Sequence, residues 1–210
     1  MEGDLYQIKV AHRALVIVLL ALMAPLFVAG AVAQQVETLE VVIGAEDAPV
    51  TVIEYMSLTC AHCANFHINT LPDVMKHYVD TGKVRIIFRD YPLDGTAYRA
   101  AIVTHCMAEA GSKRYYAFVQ ILFQQQQRWA TAPDPLAEVA KLARIGGMNQ
   151  QSFDACLENE AYASGVLLAR TQGEAEYDIQ STPTFVIDGR VVPGGMSYEE
   201  FSRAVDPLIN

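Results

Sequence analysis

Apolar residues are concentrated in three runs that predict β-strands. Residues 50–56, V-T-V-I-E-Y-M, are mostly apolar on both faces of an extended chain, which is typical of a central strand covered by helices on either side. A second run lies at 84–89, and a third at 184–187 continues through an Asp-Gly turn into 190–192 as a hairpin. The residues just before position 50 are interpreted as a short polar lead. A helix between the first two runs would make them parallel neighbours in a βαβ unit.

That first helix contains two of the four cysteines. We expect Thr59 to cap it, so that Cys60 and Cys63 lie in its first turn. The helical pattern continues toward Asp80, with a kink expected at Pro72.

Helical periodicity replaces the strand pattern between residues 94 and 177. Asp134 and the proline after it predict a helix start, and Gly146 predicts its end. Ser112 is expected to cap another helix, and the glutamine run 124–127 is interpreted as the solvated end of that helix. The apolar face of this helix would consist of Tyr115, Phe118, Val119 and Leu122.

A last helix is predicted after Ser197, which has capping-box spacing to Glu200. The chain is thus predicted to be an α/β protein in which a helical block interrupts one sheet domain. The expected divisions are 1–33 as a leader, 34–93 as the first part of the sheet domain, 94–177 as the helical insertion and 178–210 as the second part.

Composition limits the classes of partner. The chain has 210 residues, of which 52% are hydrophobic, so it can bury a sizeable core without needing disulfides to fold. Its formal net charge of −9, with no Lys/Arg cluster, argues against a nucleic-acid partner because phosphates would be repelled.

The N-terminus predicts export. Residues 14–33 carry no charge and follow Lys9 and Arg13, while Ala31 and Ala33 are small residues of the kind a signal peptidase recognises. We expect residues 1–33 to be a signal peptide, or an anchor if it stays uncleaved, and the protein to be periplasmic. Thiols outside the cytosol meet an oxidising environment in which disulfides persist.

The C-x-x-C pair at Cys60 and Cys63 could hold a metal or exchange electrons. Haem attachment is excluded because Ala64 stands where C-x-x-C-H needs histidine. Zinc needs four ligands, so His67 or other residues would have to complete the site. The chain has no second C-x-x-C or H-x-x-x-H motif to supply them. We expect no metal and no cofactor, and interpret His67 as a surface or packing histidine.

Redox chemistry needs a stabilised thiolate and a second thiol within reach. A helix N-terminus directs free N–H groups at Cys60 and lowers the pKa of its thiol, and His62 between the cysteines is expected to add to this effect. Glu54 lies in the middle of an apolar strand. It faces water if that strand is an edge, whereas on a central strand it would be desolvated and could exchange a proton with Cys63.

Three segments together resemble the DsbA-like branch of the thioredoxin superfamily. They are Glu54 with the Cys60-Ala-His-Cys63 motif, the stretch F-R-D-Y-P-L at 88–93, and S-T-P-T-F-V-I-D-G at 181–189. The resemblance implies a thioredoxin-like fold with an inserted helical subdomain, Cys60 as exposed nucleophile, Cys63 as its resolving partner and Glu54 as buried acid. It also implies a cis peptide between Thr182 and Pro183, where the backbone would hold an extended substrate peptide.

These features predict an exported dithiol oxidase that introduces disulfides into reduced secreted or periplasmic proteins. The resemblance implies reoxidation by a DsbB-type membrane quinone reductase, and we expect a monomer. The alternatives are a periplasmic reductase or isomerase, and a non-catalytic thioredoxin-fold binding protein or chaperone. For Cys106 and Cys156, both on predicted helices, we expect a structural disulfide, with two buried free thiols as the alternative.

Overall fold

The structure is a computed structural model that describes residues 39–209 of the chain. The predicted signal segment 1–33 lies outside the described residues, so it stays a prediction. Among the helices of residues 39–209, none combines the length and the apolar character needed to cross a membrane.

Five strands form one mixed sheet in the spatial order β1, β3, β2, β4, β5. Their bounds are Glu40–Ile43 for β1, Val50–Met56 for β2, Val84–Asp90 for β3, Thr184–Ile187 for β4 and Arg190–Pro193 for β5. Strands β2 and β3 are parallel, whereas the β1–β3, β2–β4 and β4–β5 pairs are antiparallel. The predictions of a central first apolar strand, a βαβ unit and a terminal hairpin are confirmed.

The interpretation of the residues before position 50 as a polar lead is wrong for Glu40–Ile43. This segment is the edge strand β1, which pairs with β3 so that Glu40 lies opposite Arg89. The Arg89 guanidinium lies 3.0 Å from the Glu40 carboxylate. Only Val41 of the four residues is buried, so a four-residue edge strand leaves too little alternation to be detected from sequence.

The helix after β2 is interrupted as expected. Helix α1 covers Ala61–Asn69, α2 covers Leu71–Val74 with Pro72 in its first turn, and a π-helical turn covers Met75–Val79. Thr70 separates α1 from α2, so the break lies two residues before the proline. The kink therefore lies before Pro72 and not at it, because a proline is tolerated in the first turn of the helix that follows.

Six helices lie between β3 and β4, and a seventh follows β5. They are α3 Gly95–Ala108, α4 Ser112–Gln124, α5 Gln126–Ala130, α6 Pro135–Ile145, α7 Gln150–Leu157, α8 Glu160–Tyr177 and α9 Tyr198–Val205, the last followed by a 3₁₀ turn at Asp206–Leu208. The α/β class with helices interposed between two parts of one sheet is confirmed. The exact domain boundaries stay a prediction.

The predicted helix caps are partly correct. Asp134 caps α6 by accepting from the Ala137 N–H, and Ser197 with Glu200 forms a full capping box at α9. The prediction that Ser112 caps α4 is wrong, because Gly111 with φ 104° precedes the helix and Ser112 is its first residue. Glycine adopts this left-handed conformation without steric cost, which lets the chain turn sharply from α3 into α4.

The core brings α1 and α4 together beside the sheet. The four apolar residues predicted for α4 are all buried there, which confirms its orientation: Tyr115, Phe118, Val119 and Leu122. Phe66 of α1 packs edge-on against Phe185 of β4 with ring centres 4.7 Å apart. Helix α1 is therefore held by both the sheet and the helical block.

Candidate active site

The two cysteines of the C-x-x-C motif begin helix α1. Cys60 is the N-cap residue, with extended backbone at φ −79° and ψ 120°, and its Sγ accepts from the Cys63 N–H at 3.4 Å. The prediction that Thr59 caps this helix is wrong. The Thr59 hydroxyl instead donates to Asp94 Oδ2 at 2.7 Å, which ties the loop before α1 to the start of α3.

Both cysteines are free thiols, and they differ in exposure. Cys60 is 8% exposed and Cys63 is completely buried. The expected exposed nucleophile is therefore only slightly accessible, because the loop at Thr182 covers it: the Cys60 thiol donates to the Thr182 carbonyl at 3.2 Å. Cys60 remains the one sulfur of the pair that a second molecule can reach.

Hydrogen bonding lowers the pKa of the Cys60 thiol to about 5. The largest cause is a hydrogen bond from the Cys63 thiol, opposed by desolvation, and further donors are the Thr182 side chain and the backbone N–H groups of Cys63 and His62. The Thr182 hydroxyl has no other partner within residues 39–209, so it can turn toward a thiolate. These donors stabilise negative charge on Cys60.

The Cys63 thiol shows the opposite behaviour. Burial raises its pKa well above the ordinary value, and the hydrogen bond to Cys60 and the negative charge of Glu54 raise it further. Cys60 is therefore the thiolate and Cys63 the protonated partner in the reduced pair. Cys63 needs a base to take its proton before its sulfur can attack.

His62 contributes in a different way from the one expected. Its side chain is exposed, and the interaction that lowers the pKa of Cys60 comes from its backbone N–H, not from its imidazole. His62 lines a surface cleft beside α1 together with Gly195, Ser197 and Tyr198. A role for the His62 side chain in setting the properties of Cys60 stays a prediction.

The loop facing the cysteines contains the cis peptide bond between Thr182 and Pro183 that the resemblance implied. The Pro183 carbonyl accepts from the Gly194 N–H at 2.8 Å, which ties this loop to the end of β5. The loop thus has a fixed position against Cys60. The binding of substrate main chain by Thr182 and Pro183 stays a prediction.

Glu54 is buried on the central strand, so the alternative of an edge position facing water is excluded. It is 1% exposed, and its neighbours on the adjacent strands are Phe88 and Phe185. One carboxylate oxygen, Oε1, lies 3.1 Å from His67 Nε2. The other oxygen, Oε2, has no hydrogen-bond partner in the part of the chain that the structure describes.

His67 was not identified from the sequence as a functional residue. It is completely buried on α1, one helical turn beyond Cys63, and its Nδ1 lies 3.1 Å from Gln120 Nε2 of α4. The interpretation as a surface histidine is wrong, and packing alone does not describe its two polar contacts. The available signal was its spacing of four residues from Cys63, which places both side chains on one helix face.

Gln126 is a second residue that the sequence interpretation placed wrongly. It was assigned to a solvated helix end, but α4 ends at Gln124, and Gln126 is only 5% exposed. Its Nε2 donates to the carbonyl oxygens of Leu58 and Cys60 at 2.8 and 3.0 Å. A side chain of the helical block therefore holds the loop that leads into α1, and nothing in a run of four glutamines distinguishes this one.

The other two cysteines lie away from this cluster. Cys106 of α3 and Cys156 of α7 are joined by a disulfide with Cα atoms 6.2 Å apart. The neighbouring His105 forms a second buried contact between a histidine and a carboxylate, with Nε2 2.6 Å from Asp90 Oδ2. Within residues 39–209, no group of three or more His, Cys, Asp or Glu side chains could hold a metal ion.

Comparisons with known proteins agree with this geometry. A family model described as thioredoxin matches residues 37–207. A Rickettsia felis protein, whose name describes it provisionally as a protein-disulfide oxidoreductase, is 30% identical over 176 residues, which cover 83% of this chain and 62% of that protein. The chain thus spans less than two thirds of the length of this relative. Disulfide bond formation protein D of Bacillus subtilis is 27% identical over 170 residues, which cover 79% of this chain and 75% of that protein.

Among solved structures, the chain is similar to alpha-DsbA1 of Wolbachia pipientis. The TM-score is 0.75 at 27% sequence identity, and the match covers 81% of this chain and 90% of that one. This agreement confirms the thioredoxin-like fold class and the DsbA-like resemblance.

Proposed function

The chain belongs to the thioredoxin family, in its DsbA-like branch, and on that premise we propose that it is an exported protein-disulfide oxidoreductase acting as a dithiol oxidase. The observation that carries the proposal is the asymmetry of the two thiols. The pKa of Cys60 is lowered to about 5, whereas burial raises that of Cys63. For comparison, the reactive thiol has a pKa of about 7 in thioredoxin and about 3.5 in DsbA.

A stabilised Cys60 thiolate favours the oxidising direction. The difference between an ordinary thiol pKa and about 5 corresponds to on the order of 5 kcal/mol in favour of the thiolate. This free energy stabilises the reduced protein, and a protein that is more stable when reduced gives its disulfide to other thiols more readily.

The proposed reaction has two exchange steps. A substrate thiolate attacks Cys60 Sγ of the oxidised pair, the 60–63 bond breaks, and Cys63 leaves and takes a proton from Glu54. A second substrate thiolate then attacks the substrate sulfur of the mixed disulfide, and Cys60 leaves as its stabilised thiolate. The substrate gains a disulfide and loses two electrons, which the protein now holds as the Cys60 thiolate and the Cys63 thiol.

Thr182 and Pro183 are proposed to position the substrate. An extended peptide lying across Cys60 would pair with the backbone at Thr182, a recognition of main chain that does not select one sequence. The proposed substrates are reduced secreted or periplasmic proteins. A DsbB-type membrane quinone reductase is the proposed reoxidant, and the protein is proposed to act as a monomer in the periplasm.

A redox titration tests the direction. The variant Cys106→Ala/Cys156→Ala leaves Cys60 and Cys63 as the titrating pair and is equilibrated in glutathione buffers. We expect a potential clearly more oxidising than the roughly −270 mV of thioredoxin. A potential at the thioredoxin level with an unshifted Cys60 pKa would contradict the oxidase and favour a reductase or isomerase.

A second measurement separates catalysis from binding. Reduced test protein is refolded with the oxidised chain, and insulin is reduced with the reduced chain, each beside the Cys60→Ala variant. We expect both activities to disappear in the variant. Activity that persisted without Cys60 would favour a binding protein or chaperone.

A further inference from the structure

The strongest unassigned feature is a chain of buried polar contacts that runs from α4 to the central strand. Gln120, half-buried on α4, contacts Nδ1 of His67, and Nε2 of His67 contacts Oε1 of Glu54, each at 3.1 Å. Cys63 and His67 lie one helical turn apart on α1, and the charge of Glu54 acts on Cys63. The contacts therefore end at a carboxylate whose negative charge raises the pKa of the buried Cys63 thiol.

The partners of His67 determine which ring nitrogen donates a hydrogen bond and which accepts one. A Glu54 carboxylate can only accept, so Nε2 of His67 must donate to it, and the Gln120 amide nitrogen can only donate, so Nδ1 must accept. The two contacts thus assign opposite hydrogen-bonding roles to the two ring nitrogens of His67.

The surroundings of the His67 ring are apolar. The ring of His67 lies among the aromatic rings of Phe66, Phe88 and Phe123, with the centre of Phe123 4.3 Å away. Hydrogen bonds are stronger in such apolar surroundings, and a donor lost there is not replaced by solvent. The negative charge of Glu54 also raises the pKa values of Cys63 on α1 and of Tyr115 and Tyr116 on α4.

We propose that His67, held by Gln120, is a positioning residue that occupies Oε1 of Glu54 and so reserves Oε2 for the proton of Cys63. The unpartnered state of Oε2 is the observation that distinguishes this role from simple burial. The inference rests on the proposed function, because it concerns the proton that moves when the Cys60 and Cys63 pair is oxidised or reduced.

The step concerned is the second half of oxidation of the reduced pair. Cys60 thiolate first attacks a disulfide reagent such as oxidised glutathione, forming a mixed disulfide and releasing one glutathione thiolate. Cys63 then gives its proton to Glu54 Oε2, and its thiolate attacks Cys60 Sγ. The bond from Cys60 to glutathione breaks, a second thiolate leaves, and two electrons have passed from the protein to the reagent.

Stopped-flow kinetics with oxidised glutathione tests the proposal by measuring both halves across pH. Formation of the mixed disulfide is measured in a Cys63→Ala background, and its resolution by Cys63 in the full pair. We expect His67→Leu to leave the rate of mixed-disulfide formation unchanged within about twofold and to slow its resolution about tenfold. This factor is a part of the rate enhancement that a general base contributes. The pH profile of the resolution rate should move to higher pH, because a buried carboxylate without its donor holds a proton more tightly.

Three further variants make the test specific. Gln120→Leu should slow resolution less than His67→Leu does, and His67→Gln, which keeps an amide donor, should restore part of the rate. His105→Leu is the matched control, since it removes the other buried histidine that contacts a carboxylate and should leave resolution unchanged. The double variant Glu54→Gln/His67→Leu should be no slower than Glu54→Gln alone, because His67 acts through Glu54.

The outcomes distinguish the two proposals. Failure of Cys60 to form the mixed disulfide would overturn the proposed function and this inference with it. Normal formation with unchanged resolution in His67→Leu would overturn only the role of His67. The role of His67 would also be overturned if His67→Leu slowed resolution equally with and without Glu54, or if His105→Leu slowed resolution as much as His67→Leu does.

Discussion

The two cysteine pairs of this chain occupy contrasting surroundings. Cys60 and Cys63 are three positions apart at a helix N-terminus, where backbone N–H groups and the Thr182 side chain converge on one sulfur. Cys106 and Cys156 are 50 residues apart and link α3 to α7. The difference shows that the position of a cysteine relative to free donors, more than the cysteine itself, decides whether it is suited to exchange or to linking two helices.

The largest expected effect comes from removing the thiolate itself. Cys60→Ser should abolish insulin reduction and oxidative refolding, whereas Cys106→Ala/Cys156→Ala should retain both, because only the first pair has the donors that stabilise a thiolate. The two activities are measured side by side on folded protein, checked by circular dichroism. Loss of activity in the second variant alone would reverse the roles we assign to the two pairs.

The stability of the reduced protein should depend on pH through Cys60. Because its folded pKa of about 5 lies below that of the unfolded thiol, the contribution is fully present above the unfolded value and is lost as pH falls through about 5. Between these limits, the free energy of unfolding should rise by about 1.4 kcal/mol per pH unit relative to Cys60→Ser. Urea denaturation of both proteins under reductant measures the difference, and parallel curves would contradict the lowered pKa.

The second pair should contribute to stability without affecting the thiolate. Closing a loop of 50 residues constrains the unfolded chain, so Cys106→Ala/Cys156→Ala should lower the free energy of unfolding by about 4 kcal/mol. Denaturation in urea measures this loss, and thiolate absorbance during a pH titration measures the pKa of Cys60. A shifted Cys60 pKa in this variant would show that the two pairs are coupled.

Gln126 connects the helical block to the loop before Cys60, and replacing it should have a smaller effect on stability than removing the disulfide. Gln126→Leu removes the donor to the Leu58 and Cys60 carbonyls, so it should cost about 1–3 kcal/mol of stability. The pKa of Cys60 should rise by less than one unit, because the carbonyl oxygens near the sulfur lose a balancing donor. Gln127→Leu, at an exposed position, is the matched control and should change neither quantity.

The sequence predicted the elements whose signals are local. The central strand, the βαβ unit, the terminal hairpin and the capping box at Ser197 all follow from apolar periodicity or from fixed spacings, and all are confirmed. The C-x-x-C motif at Cys60 indicated redox chemistry for the same reason. The edge strand β1 is not predicted, because it is defined by its pairing with β3. Four residues carry too little pattern to indicate that pairing.

The residues that the sequence misplaced depend on contacts made across the fold. His67 and Gln126 are common polar residues at helical positions, and their polar contacts reach across 13 and 68 residues of chain to Glu54 and Leu58. A burial pattern along one helix does not reveal which buried polar groups on another element need a partner.

The sequence by itself determined that Cys60 and Cys63 begin a helix after a central strand, because periodicity and spacing are properties of neighbouring residues. Only the tertiary structure decided which groups surround the two sulfur atoms. The cis loop at Thr182 covers one sulfur, and the side chains of His67 and Gln126 contact Glu54 and the Cys60 carbonyl in the buried interior. In that interior each donor must find its acceptor across the fold, and such pairings are set by packing, not by the order of residues.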